Sequence, residues 1–357
     1  MTLFEDQFEL SSASIAEVRH WVRDRCVACI AGHQADLDKI EIALGEVLQN
    51  IVRYAYEGLG LIDVRVCDLG KCVGVTIHDY APPKPVDQWS LKPAGSEGGF
   101  GLNFIAQCSD AHRFRATDEG NRCSLYFFVD HNELSSESLL WAGEILEARV
   151  VNESMKDWCR WSLSNVLSEG DFSILEIAVD AVESFERQNA RIPEFHNLQH
   201  FRDVLITVCH LVERLDEPLS RDETLAMVFA AILHDYGHPG RQALYPGEIE
   251  DHTVDLVRNL LSPYQSESNS KVYEMCIDLI MSTSPRRKGR WNTLQTLFNL
   301  CDVGPSFIPD HGFAQAQLIA LELEDNFGPQ LWSSFKDQWR VYDAAEPLFL
   351  RSWRNML

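Results

Sequence analysis

The chain has no uninterrupted run of about eighteen apolar residues, so no membrane span is expected. Its opening stretch, "MTLFEDQFEL", offers neither a basic n-region nor an apolar h-region, so no export signal is expected. Cationic side chains are scarce: 31 Lys and Arg stand against 54 Asp and Glu, for a formal net charge of −23. Such a field repels phosphate backbones and argues against a general nucleic-acid binder. The run "PRRKGR" (Pro285 to Arg290) is a local exception and reads as a solvated loop. The ten cysteines form no framework. Cys26 and Cys29 make one C-x-x-C, without a second pair at zinc-site spacing. With Ile30 they fit the buried face of a helix. Without an export signal, reduced thiols in a cytoplasm are the simplest reading. Internal repeats are also missing.

What remains is a soluble globular composition, 45% hydrophobic and 24% charged, over 357 residues. That length exceeds one typical core and accommodates two domains. The two halves differ in grammar. Residues 1–130 read as mixed α and β. "FEDQFELS" has strand character, and Ser14 to Ile30 and Leu37 to Tyr56 have helical character. "LIDVRVCD" and "KCVGVTIHD" look like paired strands around Leu69-Gly70. "GFGLNFIAQCSD" reads as a helix opened by glycines, and "AHRFRATDEGNRCSLYFFVD" as a hairpin turning near Glu119-Gly120. The serine-rich "DHNELSSESLL" reads as a linker, placed at 131–148. Beyond it helical periodicity dominates, as in Leu225, Val228, Phe229 and Ile232, so 149–357 is expected to be all-α.

In the second half, "EFHNLQHFRDV" places His196 and His200 four apart. On a helix both would project from one face. "AAILHDYGHPG" ends an apolar stretch in His234 and Asp235, and "FNLCDVGPS" adds Asp302. Imidazoles and carboxylates together make a mixed N/O donor set suited to Zn, Mn, Fe or Mg. Such an ion acidifies water and clamps a phosphoryl oxygen. A helix end is a rigid place from which to aim ligands.

These motifs, with "IEDHT" and more loosely "LIMSTS", resemble the class I 3′,5′-cyclic nucleotide phosphodiesterases of the wider HD metal-dependent phosphohydrolase superfamily. The resemblance spans about Trp141 to Leu357. It implies a helical domain that binds two divalent ions. His200, His234, Asp235 and Asp302 would hold the first, with Asp235 bridging to the second. It implies His196 as general acid, protonating the leaving O3′. Glu250 would organise water around the second ion, and His238 would support the site. The sequence departs from the family pattern at Gly237, where an aspartate is usual, and near Ala243, where an asparagine is usual. The segment between His234 and Asp302 is short, and Gln338 is the one candidate for the purine-gripping glutamine.

In the first half, "IALGEVLQNIVRYAY" carries an apolar stripe of Leu44, Val47, Leu48 and Ile51. Glu46 and Asn50, four apart, lie off it. A carboxylate and an amide pointing together can orient a nucleophile and hold Mg²⁺. "VTIHDYAPP" ends a strand in Asp79, able to accept from an adenine amino group. "SEGGFGLNFIAQCSD" brings Gly98, Gly99 and Gly101 to a helix start, where backbone N–H groups can approach phosphate.

In this order the residues resemble the GHKL ATPase superfamily, with the closest likeness to its anti-sigma-factor serine kinase branch, over about Met1 to Asp130. The resemblance implies a two-layer α+β sandwich of the GHKL (Bergerat) type that binds Mg-ATP. It implies Asn50 as magnesium ligand, Glu46 as base for a substrate serine, Asp79 on adenine, and Gly99 and Gly101 on phosphates. The usual Asp-x-Gly reads Asp79-Tyr80-Ala81 here. Kinases of this branch act on a small antagonist protein and are often homodimers. A bifunctional bacterial signalling protein is therefore expected, with a phosphodiester or cyclic nucleotide as small ligand and an antagonist protein or sigma factor as partner. The alternative is a helical domain that senses metal or nucleotide and regulates a kinase or docking module.

Overall fold

The computed structural model describes residues 1–29, 34–56, 59–84, 101–129, 135–189, 192–241, 243–265, 269–287, 291–308, 318–319 and 322. The chain divides into two compact units, Met1–Asn152 and Glu153–Leu357.

The first unit is α+β. Its elements run β1 (Thr2–Leu10), α1 (Ile15–Cys29), α2 (Gln34–Tyr54), β2 (Gly60–Asp68), β3 (Cys72–Asp79), α3 (Gly101–Cys108), β4 (Ala111–Thr117), β5 (Gly120–Phe128) and α4 (Ser136–Val151). The strands form one antiparallel sheet in the order β1-β2-β3-β5-β4. Strand alternation divides its faces. Ile62, Val64 and Val66, Val73, Val75 and Ile77, and Cys123, Leu125 and Phe127 point into one core. There they meet Val18 and Val22 of α1 and Leu44, Val47, Leu48 and Ile51 of α2. Cys26 joins this core and Cys29 packs at its margin, where burial pushes their thiols up to about 12 and about 11.

The other face of the sheet is polar, and α4 covers it. Glu147 of α4 accepts from the Thr76 hydroxyl at 2.7 Å, from Arg122 at 3.1 Å and from the Tyr126 hydroxyl at 2.5 Å. Glu144 pairs with Arg113 at 3.3 Å and Arg115 at 3.2 Å. Gly143 lies against the Tyr126 ring, where a Cβ would come within 2.6 Å. Most of the segment expected to be a linker, 131–148, is therefore helix, and residues 131–134 lie outside the described ones. Its serines mislead for a physical reason. Ser135 is the N-cap, accepting from the Ser138 N–H at 3.2 Å, and caps favour the same residues as loops.

Among its described residues the second unit is helical: α5 (Met155–Leu163), α6 (Glu169–Gln188), α7 (Leu198–Arg214), α8 (Arg221–Leu233), α9 (Glu248–Leu261), α10 (Ser270–Ser282) and α11 (Thr293–Val303). The centre is α8, buried on every side from Thr224 to Leu233 and packed against α6, α7, α10 and α11. A helix apolar all round belongs inside. Burying Leu225, Val228, Phe229 and Ile232 contributes about 1.5–3 kcal/mol each. A Ser220–Glu223 capping box starts α8, and the helix ends where His234 begins.

Candidate functional site

The end of α8 delivers two groups in succession. His234 is the C-cap, 1% exposed, and Asp235 follows it. The His234 Nδ1–H donates to the Ala231 carbonyl at 3.3 Å. That contact fixes the tautomer and turns the Nε2 lone pair inward. His200 arrives from the first turn of α7 and Asp302 from the last turn of α11.

Four donor atoms meet. The Nε2 atoms of His200 and His234 are 3.0 Å apart. Asp235 Oδ2 lies 3.5 Å from His200 Nε2 and 3.1 Å from His234 Nε2. Asp302 Oδ1 lies 3.3 Å from each. Ligands about 2.1 Å from a common centre are separated by about 3.0 Å in an octahedron and about 3.4 Å in a tetrahedron. The observed edges span those values, and the set offers nitrogen and oxygen donors without thiolate. His200, His234 and Asp302 thus fit a divalent ion, with Asp235 set against both imidazoles.

The charges respond to this crowding. Burial pushes the His234 pKa down, but Asp235 and Asp302 outweigh it and hold it well above the ordinary value. Burial raises the Asp235 and Asp302 carboxyls, and the surrounding imidazoles, His234 with His196 at Asp235 and His234 with His200 at Asp302, together more than reverse this, leaving both well below the carboxylate range. Without an ion the cluster therefore keeps a proton.

His196 differs from expectation. It does not share a helical face with His200, because α7 starts at Leu198 and Asn197 is its N-cap, accepting from the Gln199 N–H at 2.9 Å. The cap residue is extended, with φ −131° and ψ −178°, so His196 lies outside the helix. Its Nε2 still reaches to 3.9 Å from Asp235 Oδ2. On its other side Nδ1 is 2.6 Å from Oε1 of Glu322, whose Oε2 accepts from the backbone N–H groups of Phe195 (2.9 Å) and His196 (3.2 Å). Burial lowers the His196 pKa, and Asp235 with Glu322 raises it by more, so the net shift is upward.

Glu322 was not picked out in the sequence. "LIALELEDN" marks it only as one acid in an apolar helical pattern, and nothing local ties it to His196. Although burial raises its carboxyl, the hydrogen bond and charge of His196, with the Phe195 N–H and His238, together bring it down to about 2.

His238 stacks on His196, with centroids 3.8 Å apart and planes at 23°. Burial, then the neighbouring His196, pushes it down to about 3, so it is a neutral ring. Its Nδ1 accepts from the Gly240 N–H at 3.1 Å. Glu250 sits half-buried in the first turn of α9, and burial, with Asp235 nearby, raises its carboxyl. Gly237 has φ +81°, and a Cβ there would meet the end of the Leu256 side chain, so the local backbone favours glycine. Ala243 is half-buried, and Gln338 lies outside the described residues.

In the first unit, Glu46 and Asn50 of α2 both face the start of α3. A Cβ on Gly101 would come within 2.9 Å of Glu46 Oε2 and 3.1 Å of Asn50 Nδ2, so glycine permits this close approach. Asp79, 3% exposed at the end of β3, shares a small cavity with Asn50, Val47, Phe114 and Asn121. Burial raises its carboxyl, offset in part by the hydrogen bond from Asn121. Gly98 and Gly99 lie outside the described residues.

An α+β unit with this helix–glycine juncture, and a helical unit with convergent imidazoles and carboxylates, define a two-module chain. Residues 8–127 match the family model of the histidine kinase-like ATPase domain, and residues 195–256 match that of the 3'5'-cyclic nucleotide phosphodiesterases. The chain thus carries an ATPase-like module and a phosphodiesterase-like module. The second match includes His196, His200, His234, Asp235, His238 and Glu250 and stops short of Asp302 and Glu322. No curated protein matches the chain. No helix among the described residues is long and apolar enough to cross a membrane.

Proposed function

We propose that the chain is a bifunctional signalling protein, a metal-dependent phosphodiester hydrolase fused to an ATP-binding, serine-kinase-like module. The observation that carries the hydrolase is the convergence of His200, His234 and Asp302 at 3.0–3.3 Å, with Asp235 3.1–3.5 Å from both imidazoles, from the starts and ends of three helices. Zn, Mn, Mg or Fe suits this donor set. When bound, such an ion would polarise a phosphoryl oxygen and lower the pKa of water, and His200, His234, Asp235 and Asp302 would be the residues to hold it. His196, protonated and held by Glu322, supplies the proton to the departing oxygen. His238 packs against its ring as an uncharged support, and Glu250 orders water on the α9 side. A phosphodiester or cyclic nucleotide is the substrate class.

In the other module, Asn50 is the magnesium ligand, Glu46 the base for an acceptor serine, Asp79 the adenine contact, and Gly99 and Gly101 the phosphate neighbours. A small antagonist protein of the sigma-factor type is the partner class, and a homodimer in the cytoplasm is the expected form. The expected domain limits 1–130 and 149–357 move to 1–152 and 153–357, because α4 belongs to the first unit.

Hydrolysis of bis-p-nitrophenyl phosphate with Mn²⁺ tests the hydrolase. Wild type turns over, and Asp235→Ala falls to background with its metal lost. A metal-loaded wild type inert on this diester and on cyclic nucleotides would sink the reading. It would favour a helical sensor of metal or nucleotide, a second reading supported by the narrow cavity of about 20 Å³ beside His196, Asp235 and Tyr236.

A further inference from the structure

Asp79 and Asn121 are register partners across β3 and β5, and each is 3% exposed. Asn121 Nδ2 donates to Asp79 Oδ1 at 3.0 Å, and Asn121 Oδ1 accepts from the Lys84 N–H at 2.7 Å. Nδ2 also reaches the carbonyls of Ala81 and Pro82, each at 3.4 Å. Only one orientation of the amide puts its donor on the carboxylate and its acceptor on the N–H. The Ala81 N–H donates to the same Asp79 oxygen at 3.1 Å.

This amide therefore presents a donor to a buried carboxylate and an acceptor to a backbone N–H. Adenine presents the same pair, an exocyclic amino group beside a ring nitrogen. The cavity bounded by Asp79, Asn121, Asn50, Val47 and Phe114 is about 10 Å³, room for one water and not for a base. Asn121 packs against this cavity and makes a donor–acceptor pair of the kind a base edge makes.

We propose that Asn121 is a built-in stand-in for the purine, which must swing away from Asp79 before a nucleotide enters, and that it sets the affinity and base preference of this cleft. The proposal rests on the reading of Asp79 as the base contact. Apparent affinity equals the intrinsic affinity multiplied by the fraction of molecules with the amide withdrawn. Removing the amide lifts that reduction. Guanine gains nothing, because its C6 carbonyl would set an acceptor against the Asp79 carboxylate.

Isothermal titration of the full chain with Mg-ATP and Mg-GTP tests this in wild type, Asn121→Ala, Asn121→Thr, Asp79→Ala and the Asn121→Ala/Asp79→Ala double variant. Asn121→Thr carries the test if the alanine variant fails to fold. The expected result is a tightening for ATP of at least about tenfold on loss of Asn121, absent for GTP and abolished in the double variant. Unchanged or weaker ATP binding on loss of Asn121, while Asp79→Ala weakens wild-type binding, overturns the stand-in and leaves the Asp79 contact standing. ATP binding indifferent to Asp79→Ala overturns both.

Discussion

Glu322 Oε1 lies 2.6 Å from Nδ1 of His196, across 126 positions of sequence, and its other oxygen holds the backbone N–H groups of Phe195 and His196. One carboxylate thus orients the imidazole and favours its protonated form. The pair predicts a pH signature. His196 donates as an acid, so rate falls as pH rises through its raised pKa. Glu322→Gln removes a group that raises that pKa. Its alkaline limb should move to lower pH, and kcat on a cyclic nucleotide should drop about 10- to 100-fold. Metal content, read by elemental analysis, should not change. A limb that stays in place would show that Glu322 does not govern His196.

Leaving-group dependence isolates the acid role. Cleavage to an alkoxide needs a proton donor, whereas p-nitrophenolate departs unaided. His196→Ala should therefore lose about 10²- to 10⁴-fold on a 3′,5′-cyclic nucleotide and far less on bis-p-nitrophenyl phosphate. Equal losses on both would assign His196 to metal or substrate binding instead.

Protons and metal compete at His234. Its folded pKa is raised, so in metal-free protein its contribution to stability is complete below the unfolded value of about 6.5 and fades as pH climbs through the folded value. Asp235 and Asp302 are depressed, so theirs is complete above about 3.9 and fades as pH falls through their folded values. Metal requires the imidazole unprotonated, so binding near pH 7 should release about one proton and tighten as pH rises. Calorimetry in buffers of different ionisation enthalpy reads the proton count. A count of zero would place the proton elsewhere.

Glu147 should be costly to remove. Glu147→Ala strips the acceptor from Thr76, Arg122 and Tyr126 beneath α4. Thr76 and Arg122 keep contacts with Ser124, while the buried Tyr126 hydroxyl loses the Glu147 carboxylate, a loss of about 1–3 kcal/mol. Urea denaturation would show this as a lowered midpoint, and a shift below about 1 kcal/mol would mean that α4 is loosely held.

Gly237→Ala should destabilise the loop that follows Asp235 by about 1–3 kcal/mol, because φ is +81° and Leu256 occupies the Cβ position. Thermal unfolding of the metal-free variant measures it. A neutral result would mean that the loop relaxes freely.

Much of this was legible in the chain because it rests on short-range chemistry. The alternation in "KCVGVTIHD" follows from a two-residue repeat, and the α8 run followed by His234 and Asp235 follows from a helix too apolar to lie at a surface. The donor types alone named the metal chemistry. Other features depended on what surrounds a residue. Asn197 could have been read as a cap, which would have taken His196 off the helix, but its spacing to His200 suits a helical face equally well. The serines before α4 serve a cap or a loop alike, and only the arginines on the far face of the sheet decided that Glu144 and Glu147 would be buried.

The sequence by itself determined the two modules, the central helix and the imidazole and carboxylate types at the candidate metal site, since periodicity and side-chain chemistry are local properties. Tertiary structure alone decided that Glu322 contacts His196, that Asn121 confronts Asp79, and that Asp235 and Asp302 each lie within 3.5 Å of both His200 and His234. Those relations join residues far apart in the chain, and a hydrogen bond or coordination shell exists only once packing brings its atoms within a few ångströms.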